Sequence, residues 1–448
     1  MAVAGKRALL DGGPPGGLNG AMPASTWVAL SIFAVTYALI SLRRVPLVNL
    51  DRPLVALAGA VAMVVLGVLR LDDAYAAINH DTLALLLGMM VIVAYLRHAG
   101  FFDLVAVAIL HRARSPRQML VLVVFAAGLL SALFVNDTIC LLFTPILLAA
   151  VRGAGLPAVP YLLALCTAAN VGSVATLTGN PQNMLIGIYS GIPYGRFLLV
   201  ELPIALVSLG ITALLLLRIY RRELPATFPR RELPPPTVDR VVIRRELLVL
   251  GGVLAGFLVP LEGIVPGLAP GQQLPLVALA GMVLAALVGR FPPARVLHHV
   301  DFGLLLFFSG LFVVVKGVAS AGLLERIHAG LAPCYGTSVA QQTTAFSALT
   351  LLGSNLVSNV PFVVVARDWM HGFAAPTLMW HVLATVSTFA GNLTIVGSVA
   401  NIIVLEQSRH VAPIGFLAYL RAGLPITPIT TAVAVALLAA LAAWTPLL

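Results

Sequence analysis

Long apolar runs dominate this chain, at 26–42, 53–69, 82–96, 118–135, 201–217, 247–261, 302–315 and 424–445. Many approach the ~20 residues a helix needs to cross a bilayer. The pattern predicts an all-α polytopic membrane protein embedded in a lipid bilayer. In the first half it places helices at about 25–42, 53–70, 81–97, 157–190 (broken) and 201–220. The apolar segment 117–151 is interrupted by Phe134-Val135-Asn136-Asp137-Thr138 and reads as a re-entrant hairpin that returns to the side it left. A second such hairpin is expected at about 338–371.

The pattern repeats. The phrase PLVALAG occurs at Pro53 to Gly59 and again at Pro275 to Gly281, an offset of 222. At that offset Gly67 meets Gly289, Gly88 meets Gly310, Gly100 meets Gly322, and Val91-Ile92-Val93 meet Val313-Val314-Val315. Asp103 falls on Glu325, and Asn136-Asp137-Thr138 fall on Ser358-Asn359-Val360. A chance heptapeptide would not hold glycines and acids in register from 53 to 138. Two copies of one unit are therefore expected. They occupy 25–220 and 247–448, after a Gly/Pro-rich, disordered tail at 1–24 and around a basic linker at 221–246. Five crossings per copy is an odd number, so the second copy should be inverted in the membrane, an arrangement common in secondary transporters.

Charge tests this topology independently. The chain is 60% hydrophobic and 10% charged with a net charge of +10. In a membrane protein that excess marks basic cytoplasmic loops rather than nucleic-acid binding. The stretch 218–246 holds Arg218, Arg221, Arg222, Arg230, Arg231, Arg240, Arg244 and Arg245, so the linker should be cytoplasmic. Arg43-Arg44, Arg97, the run from Arg112 to Arg117, Arg290, Arg295 and Arg409 then fall on the same side. Asp72, Asp73, Asp81 and the loop around Glu262 fall outside, as do both termini. A multi-pass protein of the cell (inner) membrane is the expectation. Cys140, Cys166 and Cys334 have no metal spacing and read as small apolar residues.

Four polar breaks interrupt the apolar segments: Val135 to Thr138, Asn170 to Asn183, Ser354 to Pro361 and Gly391 to Asn401. The second and fourth pair as repeat mates, the offset slipping to 218 at Gly179/Gly397 and Asn183/Asn401. Backbone broken at membrane depth normally lines a cavity. Half-helix N-termini offer N–H groups to an anion, and freed carbonyls and Asn, Ser or Thr oxygens suit a dehydrated cation. The candidate substrate or ion site is Asn136, Asp137, Thr138, Thr178, Gly179, Asn180, Asn183, Ser358, Asn359, Gly397, Ser398 and Asn401. Asn136, Asp137, Ser358 and Asn359 could hold Na⁺. A carboxylate at mid-membrane costs about 2.5–3.5 kcal/mol on insertion scales, so Asp137 should be protonated, paired or holding a cation. Lys316 is the other oddity, either snorkelling to the outer interface or facing the cavity.

The segments NDTICLLFTP, ANVGSVATLTGNPQNMLIG, SNVP and GNLTIVGSVAN resemble the ion-transporter superfamily. They look most like its branch of arsenical-pump membrane subunits and sodium/proton antiporters, with citrate and dicarboxylate permeases as cousins. The resemblance implies inverted repeats, re-entrant hairpins, a scaffold that dimerises as a homodimer, and an elevator-type transport domain. It also permits a separate ATPase subunit, since the chain has no Walker motif. The dicarboxylate cousins carry Ser-Asn-Thr at each hairpin tip. Here Asn136-Asp137-Thr138 and Ser358-Asn359-Val360 both depart from it, and the added charge of Asp137 disfavours a di- or trivalent carboxylate. The expected function is secondary transport of a small anion or oxyacid, of the arsenite-efflux type, coupled to H⁺ or Na⁺, with no other cofactor. Sodium/proton antiport and citrate or dicarboxylate symport are the alternatives. A channel is less favoured by the paired breaks. An intramembrane enzyme lacks support, with no HExxH motif and no serine elbow.

Overall fold

A computed structural model describes residues 24–41, 51–227, 237–261, 264–269, 271–322 and 328–445. The tail, Arg43-Arg44, the middle of the linker, Glu262 and Leu323 to Glu325 lie outside them. The described residues are helical, with no strand among them, and six helices are long and apolar enough to cross a membrane.

The opening helices are α1 (Ala24–Ser41), α2 (Arg52–Val65), α3 (Leu71–Ala77), α4 (His80–His98) and α5 (Phe101–Arg112). The short α3 and α5 were not anticipated, because neither is long enough to stand out as an apolar run. Next come α6 (Pro116–Leu133) and α7 (Asn136–Gly153), then α8 (Ala158–Ser173), α9 (Pro181–Ser190) and α10 (Tyr194–Ile219). In the second half, α11 (Arg240–Leu258), α12 (Gln273–Val288), α13 (Pro293–Leu297) and α14 (Phe302–Ser320) lead to α15 (Val339–Val357) and α16 (Asn359–Ala366). The chain closes with α17 (Pro376–Ala390), α18 (Val399–Ser408) and α19 (Phe416–Trp444). Helix α11 opens at Arg240, earlier than the apolar run that starts at 247, because the Asp239 carboxylate accepts from the N–H groups of Val241 and Val242. Its arginine-bearing first turns are thus helix rather than linker.

The repeated phrase is a contact surface. An alanine Cβ at Gly88 would lie 2.6 Å from the Ala278 backbone, and one at Gly310 would lie 2.6 Å from that of Ala56. Ala56 and Ala278 are the same residue of the two copies of PLVALAG, as Gly88 and Gly310 are of α4 and α14. Each copy thus seats its small-residue phrase against the other copy's glycine helix. The caps repeat too: Asn79 accepts from the Thr82 N–H at 2.8 Å and Asp301 from the Leu304 N–H at 3.0 Å, again 222 apart. Gly100 and Gly322 both sit at left-handed φ, 84° and 70°, which favours glycine.

The segment α6–α7 turns back on itself. Tyr161 Oη, at the start of α8, donates to the Pro116 carbonyl at the start of α6 (2.9 Å), and Thr176 Oγ1 donates to the Ala132 carbonyl near its end (2.6 Å). Helices α6 and α8 therefore run side by side in the same direction, and α7 must return to the level from which α6 set out. Close approach is possible because Gly172 of α8 lies against the Gly128 backbone. In the second half, Ala374 N–H donates to Gln342 Oε1 (2.9 Å) and Asn355 Nδ2 to the Ala390 carbonyl (2.9 Å), which aligns α15 with α17 in the same way. There the returning arm is α16 followed by a 3₁₀ segment, Arg367–Gly372. Arg367 stacks over the Tyr189 ring at the end of α9 (4.7 Å), whereas Gln407 Nε2 at the end of α18 donates to the Leu141 carbonyl of α7 (3.0 Å). The two hairpins therefore open toward opposite faces of the molecule, as an inverted pair requires.

Candidate functional site

Four helices begin around one small cavity. It is lined by Asn136 and Asp137 at the start of α7, Pro181 and Gln182 at the start of α9, Asn359 to Pro361 at the start of α16, and Ser398 and Val399 at the start of α18. Its remaining wall, Phe307, Phe308 and Leu311 of α14, is apolar. The cavity measures about 20 Å³, space for one water-sized body. Proline at the first turn of α9 sacrifices no hydrogen bond, and Asn180 Oδ1 caps that helix by accepting from Asn183 N–H at 2.8 Å. Ser358, at the tip before α16, holds φ 71° and ψ 158°, a conformation costly for a residue with a Cβ.

Asn170 is the hub behind the cavity. Its Oδ1 accepts from Asn136 Nδ2 and from Ser398 Oγ, both at 3.0 Å. Its Nδ2 donates to Asn392 Oδ1 (2.8 Å) and Asn401 Oδ1 (3.1 Å). One side chain thus ties the first hairpin tip to the break of the second copy. A second tie has Asn180 Nδ2 donating to Thr388 Oγ1 at 3.3 Å. At the offset of 218, Asn180 matches Ser398 and Thr388 matches Asn170, so this bond and the Ser398–Asn170 bond are one contact with the copies exchanged.

The residues expected at the site divide into four groups. Asn136, Asp137, Ser358, Asn359 and Ser398 line the cavity. Asn180, Asn183 and Asn401 do not line it. They hold the breaks: Asn183 Nδ2 donates to the Ser173 (3.3 Å) and Thr176 (3.0 Å) carbonyls, and Asn401 Nδ2 to those of Gly391 (2.6 Å) and Thr394 (3.1 Å), which are the equivalent positions. Gly179 accepts from the Asn136 N–H at 2.9 Å, Thr178 faces the Tyr194 hydroxyl at 3.3 Å, and Gly397 sits beside Asn355, all behind the cavity wall. Thr138 faces a different, equally small cavity that it shares with Asp137, His299 and Asp301. The hub roles of Asn170 and Asn392, and the part played by Thr388 and Gln182, were missed. Part of the signal was present, because Asn170 and Thr388 are repeat mates at the offset of 218 that holds in these breaks.

Three properties define what the site can hold. Four helix N-termini supply positive potential and free N–H groups. One buried carboxylate, Asp137, faces the Ala400 N–H and offsets part of that potential. Two buried carbonyl oxygens, Asn136 Oδ1 and Asn359 Oδ1, have no hydrogen-bond partner, an unfavourable condition that a cation or a donor hydroxyl would relieve. Along α14 the cavities follow one another, from Asp301 and Leu304, past Phe307 to Leu311, to a vestibule of about 490 Å³ at the opposite face. Lys316 is exposed into that vestibule, with Asp73, Asp81 and Arg367 among its other walls.

Comparison with known proteins places this geometry. Residues 37–390 match the model of the CitMHS citrate transporter family. The silicon efflux transporter LSI3 of Oryza sativa subsp. japonica is 33% identical over 91% of this chain and 96% of that one. A 46 kDa membrane protein of Mycobacterium leprae (strain TN) is 30% identical over the same shares. A putative transporter arsB of Dictyostelium discoideum is 26% identical over 82% of this chain and 84% of its own. The crystal structure of the Alcanivorax borkumensis YdaH transporter covers 95% of this chain and 100% of its own with a TM-score of 0.59 at 16% identity, a likeness of fold. The chain belongs to the citrate transporter family, within the ion-transporter superfamily, and is a multi-pass membrane transporter rather than an enzyme.

Proposed function

We propose that the protein is a secondary transporter that exports a small, hydroxyl-rich oxyacid of the arsenite type, coupled to a cation held beside Asp137. The observation that carries this reading is the convergence of four helix N-termini on a cavity that also contains a carboxylate. Positive helix ends alone would suit an anion. With Asp137 among them the field is largely compensated, and a neutral molecule with several hydroxyls fits best, donating to carboxylate and Asn oxygens and accepting from helix N–H groups. Arsenous acid and silicic acid are both neutral near pH 7, in keeping with the names of the rice and Dictyostelium relatives. The coupling cation, Na⁺ or H⁺, would use Asp137 with Asn136, Ser358 and Asn359. The two copies act as inverted repeats, the hairpins and broken helices move as an elevator against the apolar wall of α14, and the scaffold forms a homodimer.

Citrate or dicarboxylate symport is the second reading, favoured by the name of the matching family model. Counterflow in proteoliposomes against arsenite, antimonite, citrate, succinate, sulfate and Na⁺ separates the two. Arsenite or antimonite is expected to exchange. Counterflow of citrate or succinate, with none of arsenite, would sink the oxyacid reading, and Na⁺ exchange alone would indicate sodium/proton antiport.

The orientation follows from charge. The face bearing Arg112, Arg114 and Arg117 is cytoplasmic and the vestibule is external, in the inner membrane, with both chain ends outside. A cysteine at the exposed Ala76 should react with an impermeant thiol reagent in intact cells, and one at the exposed Arg114 should react only after lysis. Labelling of position 114 from outside would reverse the direction assigned to transport.

A further inference from the structure

Away from the cavity, a second ionisable centre lies wholly inside the protein. Glu201 of α10 and His381 of α17 are both 0% exposed and joined by a 2.8 Å contact between Glu201 Oε1 and His381 Nδ1. Thr385 Oγ1 donates to Glu201 Oε2 at 2.8 Å, and the Phe197 ring stacks on the imidazole at 5.2 Å. His381 Nε2 is buried without a partner. Among the described residues the two have no other hydrogen-bond or ion-pair partner. Most ionisable groups on the helices packed around them are engaged otherwise: Tyr161 with the Pro116 carbonyl, Tyr194 with Thr178, Tyr189 with Arg367, Arg421 with Glu223 and Arg196 with a partner of its own. Glu246 of α11, which packs on α10, is buried with neither carboxylate oxygen hydrogen-bonded. Tyr419 of α19 is buried with its hydroxyl unpartnered.

We propose that Glu201 and His381 form a proton-carrying site, separate from Asp137, that couples proton movement to occupation of the cavity. The argument is one of charge balance. With one proton between them the pair is either carboxylate and imidazolium or carboxylic acid and imidazole, and both forms are neutral overall. Loss of that proton leaves a single negative charge in dry surroundings, which is strongly unfavourable. The proton therefore stays unless the packing around the pair changes. A route for such a change is built in. His381, Thr385 and Thr388 recur at helical spacing on one face of α17, and Thr388 Oγ1 accepts from Asn180 Nδ2 and from Gln182 Nε2, both at 3.3 Å. Gln182 lines the cavity. A ligand that draws Gln182 inward pulls on the helix face that carries the pair.

The proposal rests on the transporter reading, and its test separates the two. Ring-¹⁵N-histidine NMR of the full wild-type chain in detergent, with His381 identified by H381Q, reads the imidazole directly. Its ring nitrogens are expected to keep one protonation state while the packing is undisturbed and to change it in Q182A, which removes the contact to Thr388; E201Q is expected to change it as well. A His381 signal that is the same in wild type and Q182A would overturn the proposal, whether or not any substrate has been found. In proteoliposomes with sodium arsenite as probe, one pH unit can support about a tenfold gradient for each coupled proton. E201Q should retain arsenite counterflow and lose this accumulation. Accumulation by E201Q equal to wild type also overturns it. Absence of arsenite movement in the wild type would instead count against the substrate reading and leave the NMR result to decide the pair.

Discussion

Asp137→Asn is expected to yield a folded transporter that still exchanges substrate but no longer builds a gradient from Na⁺. Asparagine keeps the size of the side chain and its ability to accept from the Ala400 N–H. What it removes is the negative charge at a point where four helix N-termini meet. Without that charge a cation near Asn136 Oδ1 and Asn359 Oδ1 faces only positive helix ends, each worth about 0.3–1 kcal/mol, and loses its one full countercharge. Cation-driven accumulation should fall by at least about tenfold, equivalent to about 1.4 kcal/mol of lost cation binding, while counterflow persists. Accumulation at the wild-type level by the Asn variant would reduce Asp137 to a structural acceptor.

Asn170→Ala should damage both stability and binding. Four groups lose their partner at once: Asn136 Nδ2, Ser398 Oγ, Asn392 Oδ1 and Asn401 Oδ1. A buried polar group left unpaired costs about 1–3 kcal/mol, so even with partial repair by water the loss should reach about 3 kcal/mol. The damage falls on the ties between the first hairpin tip and the second break. Thermal unfolding in detergent should move down by several degrees, and counterflow should fall to background. Asn170→Asp, which keeps the acceptor and loses the donor, should lie between the two. An alanine variant with unchanged melting and counterflow would mean that each half of the site stands without the other.

Much of this arrangement could be read from residue order. Apolar runs located most of the long helices, and the repeat marked which positions are equivalent, as Gly88 and Gly310 and Ala56 and Ala278 are; that these residues meet across the copies is seen in the structure. The breaks were legible because Asn, Ser, Gly and Pro within an apolar run conflict with an unbroken helix. The direction in which each Asn points was not. Asn183 and Ser398 share the same local vocabulary, yet one staples its own loop and the other faces the cavity, a difference set by packing between copies. Short helices such as α3 and α5 carry too few residues to show a period. Glu201 and His381 stayed hidden for another reason: they are 180 residues apart, in two separate helices, and nothing in sequence brings them together.

The reciprocal seating of α2 against α14 and of α12 against α4 has a consequence for assembly. Neither half owns a finished interior, because the groove made by Gly88 is filled by Ala278 and the groove made by Gly310 by Ala56. Insertion of the first half during synthesis therefore leaves an open seam that only the later half can close, and folding must wait for it. The connecting segment makes contacts of its own, Asp239 N–H donating to the Ala99 carbonyl and Val242 and Ile243 packing beside Ala99, but the seam at Gly88 and Gly310 is filled by α12 and α2. Two separate polypeptides, divided within 221–246 and made in the same cell, carry every surface needed to find each other, whereas either fragment alone would present its bare glycine face to lipid or to another fragment.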